Sequence, residues 1–252
     1  MQKEVTYRDH DHTYWAGTVR YTSATQLVDR FKQKFDTKEK SQYMEERYST
    51  DAETWRDRWD DNRDRSLVRG NAIHNRQENI VINRGMEVHN GRVLPVPNPA
   101  LLPAQTPLIQ YPDGIYTEVL LWSHRYRLAG RCDKLIIETI QGVRYADIDD
   151  YKSNRVIKSR GFRNPDGTRQ MMKPPIEHLE DCSRIHYELQ LSGYHLMLEE
   201  QGFVARQRRV IHFPHILSMA PPGAPPPPPV IHIMPYRKSD VISMAEYITT
   251  NG

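Results

Sequence analysis

From Ala24 onward the apolar side chains Leu27, Val28, Phe31 and Phe35 recur at i, i+1, i+4 and i+8. This is one stripe of a helix facing a core, and Ser23 stands where an N-cap belongs. Upstream, Val5 to Tyr21 sets aromatic and β-branched residues around Ala16-Gly17 and predicts a short hairpin. Lys38 to Arg69 carries eight basic and nine acidic residues, with Tyr43, Met44, Tyr48, Trp55 and Trp59 spaced to bury an aromatic edge. The stretch predicts a solvated helical pair. A further helix follows over about Val68 to Asn83, with Ile73, Gln77, Ile80 and Val81 on its inner side. Gly91 to Pro112 holds six prolines and no sustained period, and reads as loop.

The pattern then changes period. Tyr116–Trp122, Leu128–Ile137 and Val143–Tyr151 are β-rich runs joined by short polar breaks such as Gln141-Gly142, which predicts a small antiparallel sheet. Lys152 to Lys173 is loop-like, and Tyr187 to Glu200 reads as a helix ended by Gly202. Val204–His212 and Val230–Tyr236 read as strands, and about Ser239 to Ile248 as a closing amphipathic helix. Between the strands, Pro221 to Pro229 is expected to be a stiff exposed loop, a polyproline ligand being the other reading. The whole predicts one α/β domain over residues 1–252: hairpin and helices in 1–90, a core in 113–212, the proline-rich loop in 220–229, and a strand and helix in 230–252.

Composition narrows the function classes. With 35 Lys+Arg against 32 Asp+Glu the net charge is only +3, so any case for a polyanionic partner has to be local. The local case exists: Lys152 to Lys173 holds seven basic residues against Asp166 alone. Two cysteines, Cys132 and Cys182, are too few for a disulfide framework, a four-thiolate zinc site or an iron–sulphur cluster, and fit free thiols in a reducing compartment. Cys182 and His186 lack the two further ligands zinc requires. The first residues have no apolar signal core, and no run approaches the roughly 20 apolar residues that span a bilayer, so a soluble intracellular protein with no membrane partner is expected.

The chemistry concentrates on two neighbouring strands, Ala129-Gly-Arg-Cys-Asp133 and Ile148-Asp-Asp150-Tyr-Lys152. Residues two apart in a strand share a face, so Asp150 and Lys152 project together, and Asp133 can approach them from the next strand. Two close carboxylates are hard ligands for Mg²⁺ or Mn²⁺, and a lysine beside the ion can orient a water or offset negative charge on a phosphate. A proton-accepting role for Lys152 would require a lowered pKa. The plain alternative for Asp-x-Lys alone is a surface ion pair. Other carboxylates fit worse: Pro112-Asp113 is turn-like, Asp149 points to the opposite face, and Asp9-His10-Asp11-His12 sits in a polar hairpin.

Four motifs in this order resemble the PD-(D/E)XK nucleases of the RecB-like exonuclease branch: Gly70-x-x-x-His74, Gly130-x-x-Asp133, Asp150-x-Lys152 and Gln190-x-x-x-Tyr194. The resemblance covers roughly Tyr7 to Gly202 and implies a restriction-endonuclease-like core, a central mixed β-sheet flanked by helices. It implies catalysis by Asp133, Asp150 and Lys152. His74, Asp133, Asp150 and the Tyr151 backbone carbonyl would be ligands of one or two Mg²⁺ or Mn²⁺ ions. Glu118, Gln190 and Tyr194 become neighbours of the site, although a helix packing Tyr194 on the sheet explains the last two equally well. Glu78, four residues after His74, is a further neighbour or an exposed i,i+4 partner. Arg155, Lys158, Arg160, Arg163, Arg169 and Lys173 would hold phosphates without reading bases. The expected activity is a metal-dependent exonuclease acting on single-stranded DNA or duplex ends. Its setting would be the cytoplasm of a bacterial or phage-infected cell, alongside replication or recombination proteins. A structure-specific endonuclease and a non-catalytic DNA-binding module remain the alternatives.

Overall fold

The three central β-rich runs pair as expected in the computed structural model, which describes residues 4–103, 106–164, 166–214 and 228–251. Strands β6 (Gly114–Ser123), β7 (Leu128–Ile140) and β8 (Val143–Lys152) are antiparallel to one another. β9 (Val204–His212) then adds parallel to β8, and β10 (Val230–Ile233) antiparallel to β9. At the other side, β1 (Thr6–Arg8), β2 (Thr13–Ala16) and β3 (Val19–Ser23) form a meander whose last strand joins β7 in parallel. The result is an eight-stranded mixed sheet in the order β1-β2-β3-β7-β8-β9-β10, with β6 also on β7.

Helices cover both faces. On one lie α1 (Ala24–Phe31), α4 (Ser183–Glu200) and α5 (Lys238–Asn251), burying Leu27, Phe31, Leu135, Ile148, Leu189, Met197 and Met244 in the main core. Ser23 caps α1 with a full capping box: its hydroxyl accepts from Gln26 N–H at 3.0 Å while Gln26 accepts from Ser23 N–H at 3.2 Å. On the opposite face, the C-terminal part of α3 (Ala52–Arg84) and the hairpin β4 (Met86–His89)–β5 (Arg92–Pro95) bury Val81, Leu94, Ile115 and Ile136.

Four expectations need correction. The α1 stripe ends at Phe31, and Phe35 stands 62% exposed beyond it. The helix starting near Val68 is not separate: α3 runs unbroken for 33 residues, paired at its start with α2 (Thr37–Tyr48), because Arg65 to Arg69 contains no residue that stops a helix. The loop-like stretch from Gly91 starts inside the β4–β5 hairpin, where Val88 and Val93 remain exposed, so period-2 burial gave no signal. The last strand stops at Ile233 rather than Tyr236. The proline-rich loop lies almost wholly outside the described residues.

Candidate metal centre

A gap in the sheet positions the candidate centre. On one edge β7 is paired at its start with β3, through Leu128 and Ala129, and from Lys134 onward with β8. Gly130 to Asp133 therefore have no strand partner on that edge among the described residues. Asp133 fills the gap by taking up a β8 donor: its Oδ2 accepts the Tyr151 N–H at 2.7 Å. The neighbouring strand is irregular at the same level. Thr117 faces Lys134 and Val119 faces Cys132, leaving Glu118 opposite Asp133 with a left-handed φ of 53°. Such a backbone is costly for a residue with a side chain, and it persists only when its surroundings enforce it. The inward face consequently shifts by one on both strands, since Tyr116 and Leu121, like Leu135 and Cys132, all belong to the main core.

Through this gap, side chains from both faces meet. From α3, His74 Nδ1 lies 3.3 Å from Asp133 Oδ2, and its ring stands edge-on to Tyr151 with centroids 5.9 Å apart. His74, Glu118 and Asp133 offer ligand atoms that all lie within 4.8 Å of one another. A small divalent ion with ligands at about 2.1 Å separates them by up to about 4.2 Å, so a slight contraction closes the set. From the opposite face come Asp150 and Lys152, with Nζ 2.5 Å from Asp150 Oδ2. Asp150 stands beside the three-residue group rather than in it. Gln190 Nε2 donates to Asp150 Oδ1 at 3.3 Å and approaches the Tyr194 hydroxyl at 3.2 Å, so the Gln-x-x-x-Tyr pair faces the centre. Lys152 Nζ also sits 5.1 Å from the Tyr187 ring centroid, a cation–π contact. Glu78, half-buried one turn after His74, adds negative potential at Glu118.

Electrostatics show a centre short of positive charge. Burial pushes the Asp150 carboxyl up to about 6, with Asp133 adding to the rise and Lys152 opposing it. Burial and the Asp133 charge likewise raise Glu118, against its 2.6 Å ion pair with Arg131. Burial would lower Lys152 and His74, yet the adjacent carboxylates outweigh it and both are raised. Lys152 is thus held as a cation, which favours charge compensation over proton acceptance. Asp150 Oδ2 touches Lys152 only as an ion pair; among the described residues this buried oxygen has no hydrogen bond of ordinary geometry. Beside it, the two-carboxylate, one-imidazole set of His74, Glu118 and Asp133 fits a divalent cation.

The other carboxylates and histidines singled out in the sequence are occupied elsewhere. Asp113 accepts from Thr139 N–H and hydroxyl at 2.8 and 2.7 Å. Asp149 points to the α3 face, bonded to Arg209 at 2.6 Å. His186 pairs with Asp181 at 2.6 Å, and His12 with the Tyr7 hydroxyl at 2.5 Å. A second buried cluster, His89, Glu138 and Asp147, has metal-like spacing but is already neutralised by Arg206, which bonds both carboxylates, and by Arg92 on Glu138.

The basic stretch divides in space. Arg155 lines a cleft of about 740 Å³ with His74, Tyr151, Lys152 and Tyr187. Lys158, Arg160 and Arg169 line a second groove instead, with Arg160 bonded to Glu180 at 2.8 Å. Arg163 pairs with Arg169 by a backbone bridge, and Lys173 donates its N–H to Phe31. In their place α3 sends Asn62, Arg65 and Arg69 into the cleft, the buried Arg69 Nε having no partner among the described residues. Arg65 and Arg69 share a face with each other at i,i+4, but their spacing to His74 gave no signal, since five and nine residues do not return to one helix face. Among the described residues, no helix is long and apolar enough to cross a membrane. Compared with known proteins, the chain matches no family model and no curated protein.

Proposed function

We propose that this protein is a metal-dependent deoxyribonuclease, an exonuclease with little sequence preference, on a restriction-endonuclease-like core. One observation carries the reading: His74, Asp133, Asp150 and Lys152, from three elements, converge at the sheet gap with Gln190 and Tyr194 beside them. The four motifs of the resemblance are thereby neighbours in space. His74, Glu118 and Asp133, with Asp150 alongside, would hold the ion, and Mn²⁺ suits the mixed set better than Mg²⁺ because an imidazole is a softer ligand than a carboxylate. Held by these residues, a divalent ion would supply Lewis-acid polarisation of a phosphate oxygen and activation of a water. The charged Lys152 offsets negative charge growing on the phosphate, while Gln190 fixes the Asp150 carboxylate. Arg65, Arg69 and Arg155 hold the backbone by charge, without reading bases.

The test is digestion of end-labelled linear single- and double-stranded DNA and of closed circles, with Mn²⁺, Mg²⁺ or EDTA. Metal-dependent loss of linear DNA alone is expected, fastest in Mn²⁺. Asp150→Asn should abolish it, and Lys152→Ala should slow it by about 10²–10³-fold while DNA binding and folding persist. Cut circles would replace the exonuclease with an endonuclease, and a fully active Lys152→Ala variant would remove the mechanism.

A further inference from the structure

Beyond the cleft lies a second groove of about 900 Å³, and two phenylalanines stand in it with their rings in solvent: Phe35 is 62% and Phe162 63% exposed. Isolated apolar residues on a surface need no explanation, but these two are 127 residues apart in sequence and line one concavity. Phe35 is held in place, its ring edge-on to Trp59 with centroids 5.2 Å apart. Lys34, Lys40 and Lys158 rim the groove, and among the described residues Lys34 and Lys158 form no ion pair. Its acids are largely engaged: Asp36 caps α2, Asp181 accepts from Gln33 N–H and His186, and Glu39 lies beside Lys40.

The groove joins the cleft along three elements. The chain from Lys152 to Phe162 leaves the cleft at Arg155 and enters the groove at Lys158. On α4, Tyr187 lines the cleft and its neighbour His186 the groove. On α3, Trp59, Asn62, Ser66, Gly70 and His74 follow one another at helical spacing, the last four lining the cleft. From Trp59 to His74 is 15 residues, about 22 Å of helix, which accommodates roughly six nucleotides of a stacked strand.

We propose that this groove binds an unpaired nucleic-acid strand, stacking bases on Phe35 and Phe162 and delivering the strand along α3 to the metal centre. The inference rests on the nuclease reading and names its substrate as a single-stranded end. Exposed rings beside cations are what a sequence-tolerant single-strand site requires, because every base has a face to stack whereas a duplex presents none along its length.

The experiment is fluorescence anisotropy in EDTA, where no metal-dependent cleavage occurs, with labelled oligothymidylate of about ten nucleotides and a blunt hairpin duplex of equal charge. The full chain is compared with Phe35→Ala/Phe162→Ala and with Asp150→Asn. Both rings are exposed, so an unchanged melting temperature is expected to accompany the double substitution. It should weaken oligothymidylate binding by about tenfold or more and the duplex by far less, with Asp150→Asn still binding. Unchanged single-strand affinity, or equal loss for both substrates, overturns the groove even if the wild type digests DNA. Ring-dependent single-strand binding by a wild type that cleaves nothing in Mn²⁺ sustains the groove and overturns the nuclease reading instead.

Discussion

Gly130 shows how tightly the centre is assembled at the level of single residues. A Cβ there would come within 2.5 Å of Tyr194 Cε1, closer than side-chain atoms tolerate. The Tyr194 hydroxyl is next to Gln190, which in turn bonds Asp150, so the glycine leaves room for a ring two contacts from the carboxylate. Gly130→Ala should therefore act twice. It should cost about 1–3 kcal/mol of stability by overpacking, measured by urea unfolding, and lower the proposed nuclease activity more than Cys132→Ser, which alters the same strand without displacing Tyr194. Wild-type stability in Gly130→Ala would mean that the ring moves freely. Gly70 differs: a Cβ there meets only Ser153 Oγ at 3.8 Å, an ordinary contact, so its place in the Gly-x-x-x-His motif has no steric explanation in this structure.

At the level of elements, β8 does two jobs on its two faces. Asp150 and Lys152 serve the centre, while Asp147 and Asp149 anchor an ion network to β9 through Arg206 and Arg209. Asp147 is fully buried and also bonds His89 at 2.5 Å, tying in the β4–β5 hairpin that no hydrophobic period announced. Burial alone would raise its pKa, but His89, Arg206 and the Gln207 N–H outweigh burial and hold it well below the usual carboxylate range. A carboxylate depressed in the fold contributes stability above its unfolded value, near 4, and loses it as pH falls through the folded one. Asp147→Ala should therefore cost about 3–5 kcal/mol at neutral pH, or prevent folding, because it leaves buried His89 without its carboxylate and Arg206 with Glu138 alone. The penalty should shrink progressively in acid below about pH 4, as followed by circular dichroism. A pH-independent penalty would mean that packing, not charge, holds the hairpin.

For the whole molecule, Asp133 repels both Glu118 and Asp150 around a site where burial raises these two. A divalent cation that binds the folded chain should relieve this and stabilise the domain. At 100 times its Kd the gain is about 2.7 kcal/mol, which for a chain of this size raises the melting temperature by roughly 5–10 °C. The check is a thermal melt with Mn²⁺ against EDTA, alongside His74→Ala and Asp133→Asn. No shift in the wild type, or an equal shift in both variants, would place any bound ion elsewhere.

Much of this architecture is local and was readable along the chain. The periods of α1, α4 and the three central strands follow from which side chains must be buried, and Ser23 and Gly202 mark ends by backbone chemistry that needs no partner. The spacing of Asp150 and Lys152, and of Gln190 and Tyr194, fixes which residues share a face. What tertiary structure alone decided is where those faces meet. The gap between β3 and β8, the left-handed Glu118 and the separation of Arg155 from Lys158 depend on strand order and on loops crossing the sheet. The arginines of α3 reach the cleft because one helix spans its whole length. Periodicity records how a residue meets its own element's neighbours; it carries no record of which distant element stands opposite, and a centre built across three elements exists only once they pack.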